Sequence, residues 1–169
     1  MKKLCVLSLL LLILSTSNIF SQSGWVWQNP KQIGGDAEDI FFINNLTGYA
    51  ISTNGIVLKT TDSGESWIQL STGCQDYLSS LFFFNELTGF VTSGNRYVSD
   101  NNIVLKTSDG GMNWVQKQIF NNSHLSNIYF INESTGFIVG GRYWYGGYIF
   151  KTTDGGDNWI QYPQLQSNF

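Results

Sequence analysis

The residues of this sequence that could do chemistry are acidic side chains beside paired glycines. In TTDGGDNW (152–159), Asp154 and Asp157 flank a glycine pair, and this spacing invites a calcium or phosphate site. Calcium needs about six to eight oxygen ligands, and a phosphate cradle needs the N-terminus of a helix. The stretches TTDSGESW (60–67) and TSDGGMNW (107–114) repeat the pattern without the second aspartate. We therefore predict a tight turn, with no metal and no cofactor.

Other residue types that form metal sites or nucleophiles are scarce. His124 is the only histidine, and Cys5 lies in an apolar N-terminal run, which leaves Cys74 as the one cysteine of the remaining chain. With no second histidine or cysteine at ligand spacing, we interpret His124 as a solvated loop residue and Cys74 as a small loop residue. The sequence therefore predicts no catalytic residue.

The N-terminus has the order of residues that is typical of a secretory signal peptide. Lysines at positions 2 and 3 precede the apolar run 4–14, and small and polar residues follow it. The run is shorter than the roughly 20 apolar residues that a membrane-spanning helix needs. We expect a signal peptide over 1–21, cleavage after Ser21 and a mature chain without a transmembrane segment. We also expect export to the periplasm, the cell surface or the medium of a bacterium.

The composition favours strands over helices. Aromatic residues make up 15% of the sequence, glycine contributes 18 residues, and charged residues reach only 12%. Aromatic and β-branched residues suit pleated, half-buried surfaces, while glycine and asparagine suit turns. The net charge of −3 argues against nucleic-acid binding, which needs clustered lysine and arginine. We predict an all-β protein.

Three related segments, about 36–70, 77–118 and 125–163, fill most of the chain. A period of about 45 residues with several short strands per unit indicates the blades of a β-propeller. We therefore predict that 22–169 is a partial β-propeller with about three four-stranded antiparallel blades. Because closed propellers have about four to eight blades, we expect a fragment of a longer propeller, or self-association if the chain is complete.

Each repeat divides into four strands, A to D. In the second repeat they are Leu78–Phe84, Phe90–Ser93, Ile103–Thr107 and Trp114–Gln118. Strand A is a nearly continuous apolar run in every repeat, which predicts an innermost strand buried on both faces. A glycine before strand B is expected to adopt positive φ in a tight turn. These glycines are Gly48, Gly89 and Gly136.

The turn between strands C and D carries the recurring motif S/T-x-D-x-G-x-S/T/N-W. Its aspartate can accept hydrogen bonds from N–H groups of its own turn, and its glycine can adopt a φ that other residues resist. Its tryptophan begins strand D and covers the turn, and the threonine at the end of strand C can add a hydroxyl bond. The structural residues predicted in this way are Thr60, Asp62, Gly64, Trp67, Thr107, Asp109, Gly111, Trp114, Thr152, Asp154, Gly156 and Trp159.

The motif resembles the Asp box, or BNR repeat, of sialidases and related β-propellers. The longer unit, F-x-N-x-x-T-G-[YF] followed by K-T-[TS]-D-G-G-x-N-W, is closer to the photosystem II stability and assembly factor family, and it covers about 25–161. The resemblance implies the fold and says little about activity. Sialidase catalysis would need an arginine triad, and Arg96 and Arg142 are the only arginines. We therefore predict no sialidase activity.

Insertions between strands B and C are the main departures from the repeat, at 95–102 and 142–147. Because neighbouring strands alternate in direction, the B–C and D–A loops lie together, opposite the C–D turns. Exposed aromatic rings beside arginine are typical of recognition surfaces, although these rings could instead merely cover one another. The candidate binding residues are Arg96, Tyr97, Arg142, Tyr143, Trp144, Tyr145, Asp76 and Tyr77.

These patterns favour an exported, non-enzymatic β-propeller repeat protein that acts as a protein-binding or assembly scaffold. A carbohydrate-binding or adhesion module would use the same aromatic residues. A remnant of a sialidase-like glycoside hydrolase would need paired carboxylates in one pocket. The loop-face carboxylates are Asp36, Glu38 and Asp76, and none has a motif around it. We expect a protein partner, with a glycan as the alternative ligand.

Overall fold

The computed structural model describes residues 35–94, 101–121, 124–142 and 146–162. The expected signal peptide and the loop residues Arg96, Tyr97 and 143–145 lie outside these ranges. The described residues form twelve strands with their turns, and no helix among them. Within these ranges there is accordingly no helix long and apolar enough to cross a membrane.

The strands form three four-stranded antiparallel sheets, which we call blades 1, 2 and 3. Blade 1 contains β1 (Ala37–Phe42), β2 (Gly48–Ser52), β3 (Ile56–Thr60) and β4 (Ile68–Ser71). Blade 2 contains β5 (Leu78–Phe83), β6 (Gly89–Ser93), β7 (Asn101–Thr107) and β8 (Val115–Asn121). Blade 3 contains β9 (His124–Phe130), β10 (Gly136–Arg142), β11 (Gly146–Thr152) and β12 (Ile160–Gln161). The predicted blades of four antiparallel strands are confirmed, and in each blade the strands pair in chain order.

The strand ends in blade 2 differ from the predicted ones. β7 begins at Asn101, two residues before the predicted start, and β8 continues to Asn121 instead of ending at Gln118. The reason is that Asn101 pairs with Asn121, so the antiparallel ladder runs on into polar sequence. Local composition does not show how far two strands remain paired.

The first strand of each blade contains one irregularity at the same place. The register with the second strand shifts by one residue in β1, β5 and β9. Such a β-bulge re-aims the side chain beside it. The residues that follow the shift are Asp39, Ser80 and Asn127.

Two apolar clusters fill the junctions between blades. The cluster between blades 1 and 2 contains Tyr49, Ile51, Val57, Leu78, Leu81, Phe83 and Val91. The cluster between blades 2 and 3 contains Phe90, Val104, Phe120, Leu125, Ile128, Phe130, Ile138, Phe150 and Trp159. Because each sheet is too thin to enclose a core alone, burial of these side chains against the next blade stabilises the stack.

The prediction that the first strands are buried on both faces is right for β5 and wrong for β1 and β9. Most of β5 is buried, because β1 packs on one side of it and β9 on the other. Most of β1 is exposed, and β9 alternates between buried and exposed residues. An apolar run therefore identifies the first strand of a blade, but that strand is buried on both faces only where a blade packs on each side of it.

The glycine that begins β2, β6 and β10 does not adopt the positive φ predicted for it. A glycine is needed here for another reason, because an aromatic ring packs so close to the backbone that a Cβ atom would not fit. A Cβ on Gly89 would lie 2.4 Å from the ring of Phe83. The same approach occurs at Gly48 with Phe42 (2.7 Å) and at Gly136 with Phe130 (2.5 Å).

Candidate functional site

The connections of each blade gather at two ends. At the first, which we call the turn end, the A–B turn and the C–D turn of the same blade are joined by a backbone hydrogen bond. In blade 2 the N–H of Gly110 donates to Leu87 O at 2.8 Å, and the other blades have the equivalent bond. The B–C and D–A connections lie at the second end, which we call the loop end. There the N–H of Gly94 donates to Tyr77 O at 2.8 Å.

The C–D turn of blade 2 is held by a closed set of local hydrogen bonds. The hydroxyl of Thr107 donates to Asp109 Oδ1 and accepts from the N–H of Gly111, both at 2.9 Å. Asp109 also accepts from the backbone N–H of Asn113 at 2.9 Å and from its Nδ2 at 2.7 Å. The indole N–H of Trp114 donates to Gly111 O at 3.0 Å. The side chains of Thr107, Asp109, Asn113 and Trp114 thus form their hydrogen bonds within the turn itself.

The C–D turns of blades 1 and 3 repeat this set. Blade 1 uses Thr60, Asp62, Gly64, Ser66 and Trp67 in the five places, and blade 3 uses Thr152, Asp154, Gly156, Asn158 and Trp159. The three glycines have φ of 89°, 88° and 82° in chain order, which only glycine adopts without strain. One bond differs, since the buried Nε1 of Trp159 has no hydrogen-bond partner among the described residues.

These bonds keep the turn aspartates ionised. Hydrogen bonds from the side chain and backbone of Ser66 lower the pKa of Asp62 to about 2. Bonds from Asn158 lower the pKa of Asp154 to about 2, and bonds from Asn113 lower the pKa of Asp109. A general acid needs a pKa near the operating pH, so these carboxyl groups are unsuited to proton donation. Within the described ranges, no group of histidine, cysteine and acidic side chains could hold a metal ion.

Asp157, the second acidic residue of the third turn, joins blade 3 to blade 2. Its Oδ1 lies 2.8 Å from Lys117 Nζ and 3.5 Å from Lys106 Nζ. The hydrogen bond from Lys117 is the main cause that lowers the pKa of Asp157. The residue that first invited a calcium site therefore takes part in an ion pair between blades.

The lysine of the K-T-[TS]-D motif also spans the junction. Lys106 Nζ donates to Gly155 O in blade 3 at 2.9 Å and lies 5.4 Å from the centre of the Phe90 ring. In blade 1 the hydroxyl of Tyr49, which takes the place of Phe90, donates to Gly110 O in blade 2 at 3.2 Å. The C–D turns of blades 2 and 3 are thus each bonded to the blade before them.

Two grooves open at the turn end, one at each blade junction. One has a volume of about 420 Å³ and is lined by Asn44, Asn45, Leu46, Thr47, Thr61 and Glu86. The other has a volume of about 240 Å³ and is lined by Phe84, Asn85, Thr88, Lys106, Glu133 and Gly155. Their polar side chains already bond across the junction, as Asn44 Nδ2 does to Glu86 Oε1 at 3.1 Å. The grooves are repeats of one architectural feature.

Only part of the candidate binding surface lies among the described residues. Asp76 and Tyr77 are half-buried at the loop end, and the hydroxyl of Tyr77 donates to the carboxylate of Glu38. The backbone of Arg142 ends β10, and its side chain lies outside what the structure describes. The insertions predicted at 95–102 and 142–147 begin near the ends of β6 and β10, which are equivalent strands, so both begin at the loop end. The structure places part of each in a strand, because Arg142 ends β10, residues 101–102 begin β7 and residues 146–147 begin β11. The structure does not describe contacts among Arg96, Tyr97 and 143–145.

Solved structures similar to this chain show what the three blades form. A structure of YCF48 bound to D1 peptide matches 78% of this chain and 40% of its own, with 22% identity and a TM-score of 0.63. A structure of YCF48 from Cyanidioschyzon merolae matches 79% of this chain and 42% of its own, with 20% identity and a TM-score of 0.62. The fold is a β-propeller. The chain spans about two fifths of the length of these two propellers.

Solved structures of propeller enzymes are also similar to this chain. An ancestral GH74 enzyme matches 76% of this chain and 18% of its own, with 21% identity and a TM-score of 0.57. No protein-family profile matches the sequence, and no curated protein does. Because these identities are low, the likeness establishes the propeller fold and leaves activity to other arguments.

Sequence reasoning missed the contacts that fasten the blades of this propeller together. These contacts involve Asp39, Ser80 and Glu86 as well as Lys106 and Asp157. A signal was present, because a polar residue follows the bulge in every repeat and a lysine precedes every C–D turn. The positions of these polar residues and lysines do not show which residue each one contacts, because the contacted residue lies about one repeat away in the chain.

Proposed function

We propose that this chain is an exported, non-enzymatic propeller scaffold that binds a protein partner at its loop end. The observation that carries the proposal is the match of 78% of this chain to a structure of YCF48 bound to D1 peptide. The motifs F-x-N-x-x-T-G and K-T-[TS]-D, which resemble those of the assembly-factor family, support the same proposal. In this proposal the C–D turns are Asp boxes, and the chain is similar in role to the assembly-factor propellers.

The geometry of the two ends supports the loop end as the binding surface. At the turn end the side chains of Asp62, Asp109 and Asp154 are occupied by donors of their own turns. The three C–D turns there share the hydrogen bonds of their threonine and aspartate, as expected for turns that stabilise the fold. The loop end is where the repeats differ in length and composition, and recognition is disproportionately carried by loops on a rigid scaffold.

A glycoside hydrolase or carbohydrate-binding module is the second candidate, because GH74 enzymes share the fold. Hydrolysis would need two carboxyl groups that face one pocket. At the loop end Glu38 is engaged by the hydroxyl of Tyr77, so it is already committed to a structural bond. We therefore favour binding without hydrolysis. Incubation with a panel of polysaccharides should release no reducing sugar, and release of sugar would establish the enzyme reading instead.

Affinity capture with a paired set of variants tests the partner. The tagged chain is compared with Arg142→Ala/Trp144→Ala at the loop end and with Met112→Ala at the turn end, where Met112 is exposed. The expected result is a protein that the wild type and Met112→Ala retain and that the loop-end variant loses. Titration of that purified protein against the three chains then gives the affinities directly.

The outcomes of this experiment separate the candidates. Equal affinity of the partner for wild type and loop-end variant would rule out the loop end as the contact surface. Binding to a glycan array that the loop-end variant loses would favour the carbohydrate module. Circular dichroism of all variants checks that the strands are retained.

Export has its own test. When the full gene is expressed in a bacterium, the periplasmic or secreted protein should begin at Gln22. Mass spectrometry of the intact N-terminus reads this directly. Retention of residues 1–21 in a cytoplasmic protein would contradict the proposal.

A further inference from the structure

Each blade presents two different faces to its neighbours. We call the side that packs on the following blade the forward face, and the side that packs on the preceding blade the back face. Ile51 and Val57 lie on the forward face of blade 1, and Leu81 and Phe83 lie on the back face of blade 2. The junction of blades 2 and 3 repeats this arrangement. Every junction therefore joins one forward face to one back face.

The forward face of blade 3 carries the same apolar positions, and they are exposed. Val139 pairs with Asn127 as Ile51 pairs with Asp39, so Val139 and Ile51 are equivalent. Val139 is 43% exposed, whereas Ile51 is 1% exposed. Ile149, the equivalent of Val57, is 41% exposed, and Val57 is fully buried. This face has the composition of a buried junction.

The back face of blade 1 is the matching open surface. Ile40 is 59% exposed, whereas its equivalent in blade 2, Leu81, is 3% exposed. Phe42 is 41% exposed, and its equivalent Phe83 is 2% exposed. The same chain therefore carries one open forward face and one open back face.

The polar groups that join the existing junctions have equivalents at the same positions on the two open faces. At the first junction Asp39 accepts from the N–H of Leu81, and at the second the N–H of Ile128 lies 3.4 Å from Ser80 Oγ. Asn127 takes the next place in this series and offers an amide oxygen. The N–H of Ile40, equivalent to that of Leu81, is bonded to the carboxylate of its own neighbour Asp39.

A lysine continues the series in the same way. Lys106 donates to Gly155 O of the following blade. Lys151 takes the equivalent place in blade 3, where its Nζ lies 5.8 Å from the centre of the Phe137 ring. The residue of blade 1 that corresponds to Gly155 is Ser63, whose φ of 64° shows that the turn keeps the glycine-type conformation. The first C–D turn, on the back face of blade 1, therefore has the same backbone shape as the turn whose carbonyl accepts from Lys106.

We propose that the forward face of blade 3 binds the back face of blade 1 in a second copy of this chain. Continuity with the two existing junctions carries the choice of occupant, because both halves of a junction are present on one chain. The contact is head-to-tail, so two copies that also close at the other end would bring the six described blades into one ring, within the about four to eight blades of closed propellers. This inference is independent of the proposed partner at the loop end.

Size-exclusion chromatography with light scattering on the purified full chain tests the proposal. The wild type should show twice the mass of one chain. Val139→Asp and Ile40→Asp each place a charge in both junctions of the ring, and each should weaken association by at least about 100-fold. Met112→Asp adds the same charge to an exposed apolar residue of the middle blade and should leave the dimer intact.

A mixture of the two face variants provides the decisive observation. In a mixed pair one junction joins the two altered faces, and the other joins two unaltered faces. The mixture should therefore regain dimers that neither variant forms alone. A wild type that stays monomeric at every soluble concentration overturns the proposal. A dimer that survives Ile40→Asp overturns it as well, because association would then use forward faces alone.

Discussion

Asp39 of blade 1 accepts hydrogen bonds from the hydroxyl of Ser80 at 2.9 Å and from the N–H of Leu81 at 3.0 Å, both in blade 2. The same hydroxyl lies 3.4 Å from the N–H of Ile128 in blade 3. Ser80 thus links the first strands of all three blades. It can do so because the bulge before it turns its side chain out of the regular alternation.

Replacement of Ser80 by alanine should therefore destabilise the stack. The substitution removes one donor from Asp39 and leaves the buried N–H of Ile128 without its acceptor. We expect the free energy of unfolding to fall by about 1–2 kcal/mol, as measured by urea denaturation. Ser126→Ala is the control, because Ser126 is exposed and should change stability by less than about 0.5 kcal/mol. Equal losses in the two variants would contradict the bridging role.

Replacement of Gly89 by alanine tests the ring that lies against the backbone. The new Cβ would lie 2.4 Å from the ring of buried Phe83, which must then move within a packed junction. We expect a loss of about 1–3 kcal/mol in the free energy of unfolding. Gly147→Ala is the matched control, since its Cβ would meet only a carbonyl oxygen at 3.6 Å. A loss no greater than that of Gly147→Ala would show that the ring yields freely.

Lys106 and Lys117 both pair with Asp157, which allows the two contacts to be compared. Lys106→Met removes a bond to Gly155 O as well as the pair, so it should cost about 1 kcal/mol. Lys117→Met removes only a partly exposed ion pair and should cost less than about 0.5 kcal/mol. Thermal denaturation at neutral pH measures both losses. A larger loss for Lys117→Met would refute the importance of the carbonyl contact.

The turn aspartates should make the fold sensitive to acid. The pKa of Asp62 and of Asp154 is lowered from 3.8 to about 2 in the folded state. A carboxyl group whose pKa is lower in the folded than in the unfolded state stabilises the fold. This stabilisation is complete above the unfolded-state pKa and is lost as the pH falls through the folded-state pKa. Stability should therefore decline between about pH 4 and pH 2, by an amount that solvent screening keeps modest.

Thermal denaturation across this pH range provides the measurement. Asp154→Asn removes one titrating group, so its melting temperature should depend less steeply on pH than that of the wild type. Glu65→Gln is a suitable control, because Glu65 is an exposed residue of the first C–D turn. If the melting temperatures of wild type and Asp154→Asn depended equally steeply on pH, the carboxylate of Asp154 would not be the cause of the loss of stability in acid.

The parts that the sequence predicted correctly are the ones whose partners lie nearby in the chain. The four strands of each blade pair with their sequence neighbours, so the apolar alternation and the turn residues sufficed to place them. The error at Gly48, Gly89 and Gly136 has the opposite origin. The local sequence shows a glycine beside a turn, whereas the cause of the glycine is a ring six residues earlier whose position is set by packing.

The sequence by itself determined the repeat, the blade architecture and the recurring hydrogen bonds of the C–D turns, because all three depend on contacts within about 45 residues. Only the tertiary structure decided which apolar positions are buried. Ile40 and Leu81 hold the same place in the repeat, and one is exposed while the other is covered by the preceding blade. Burial belongs to the junction between blades, and a junction exists only once two repeats have stacked.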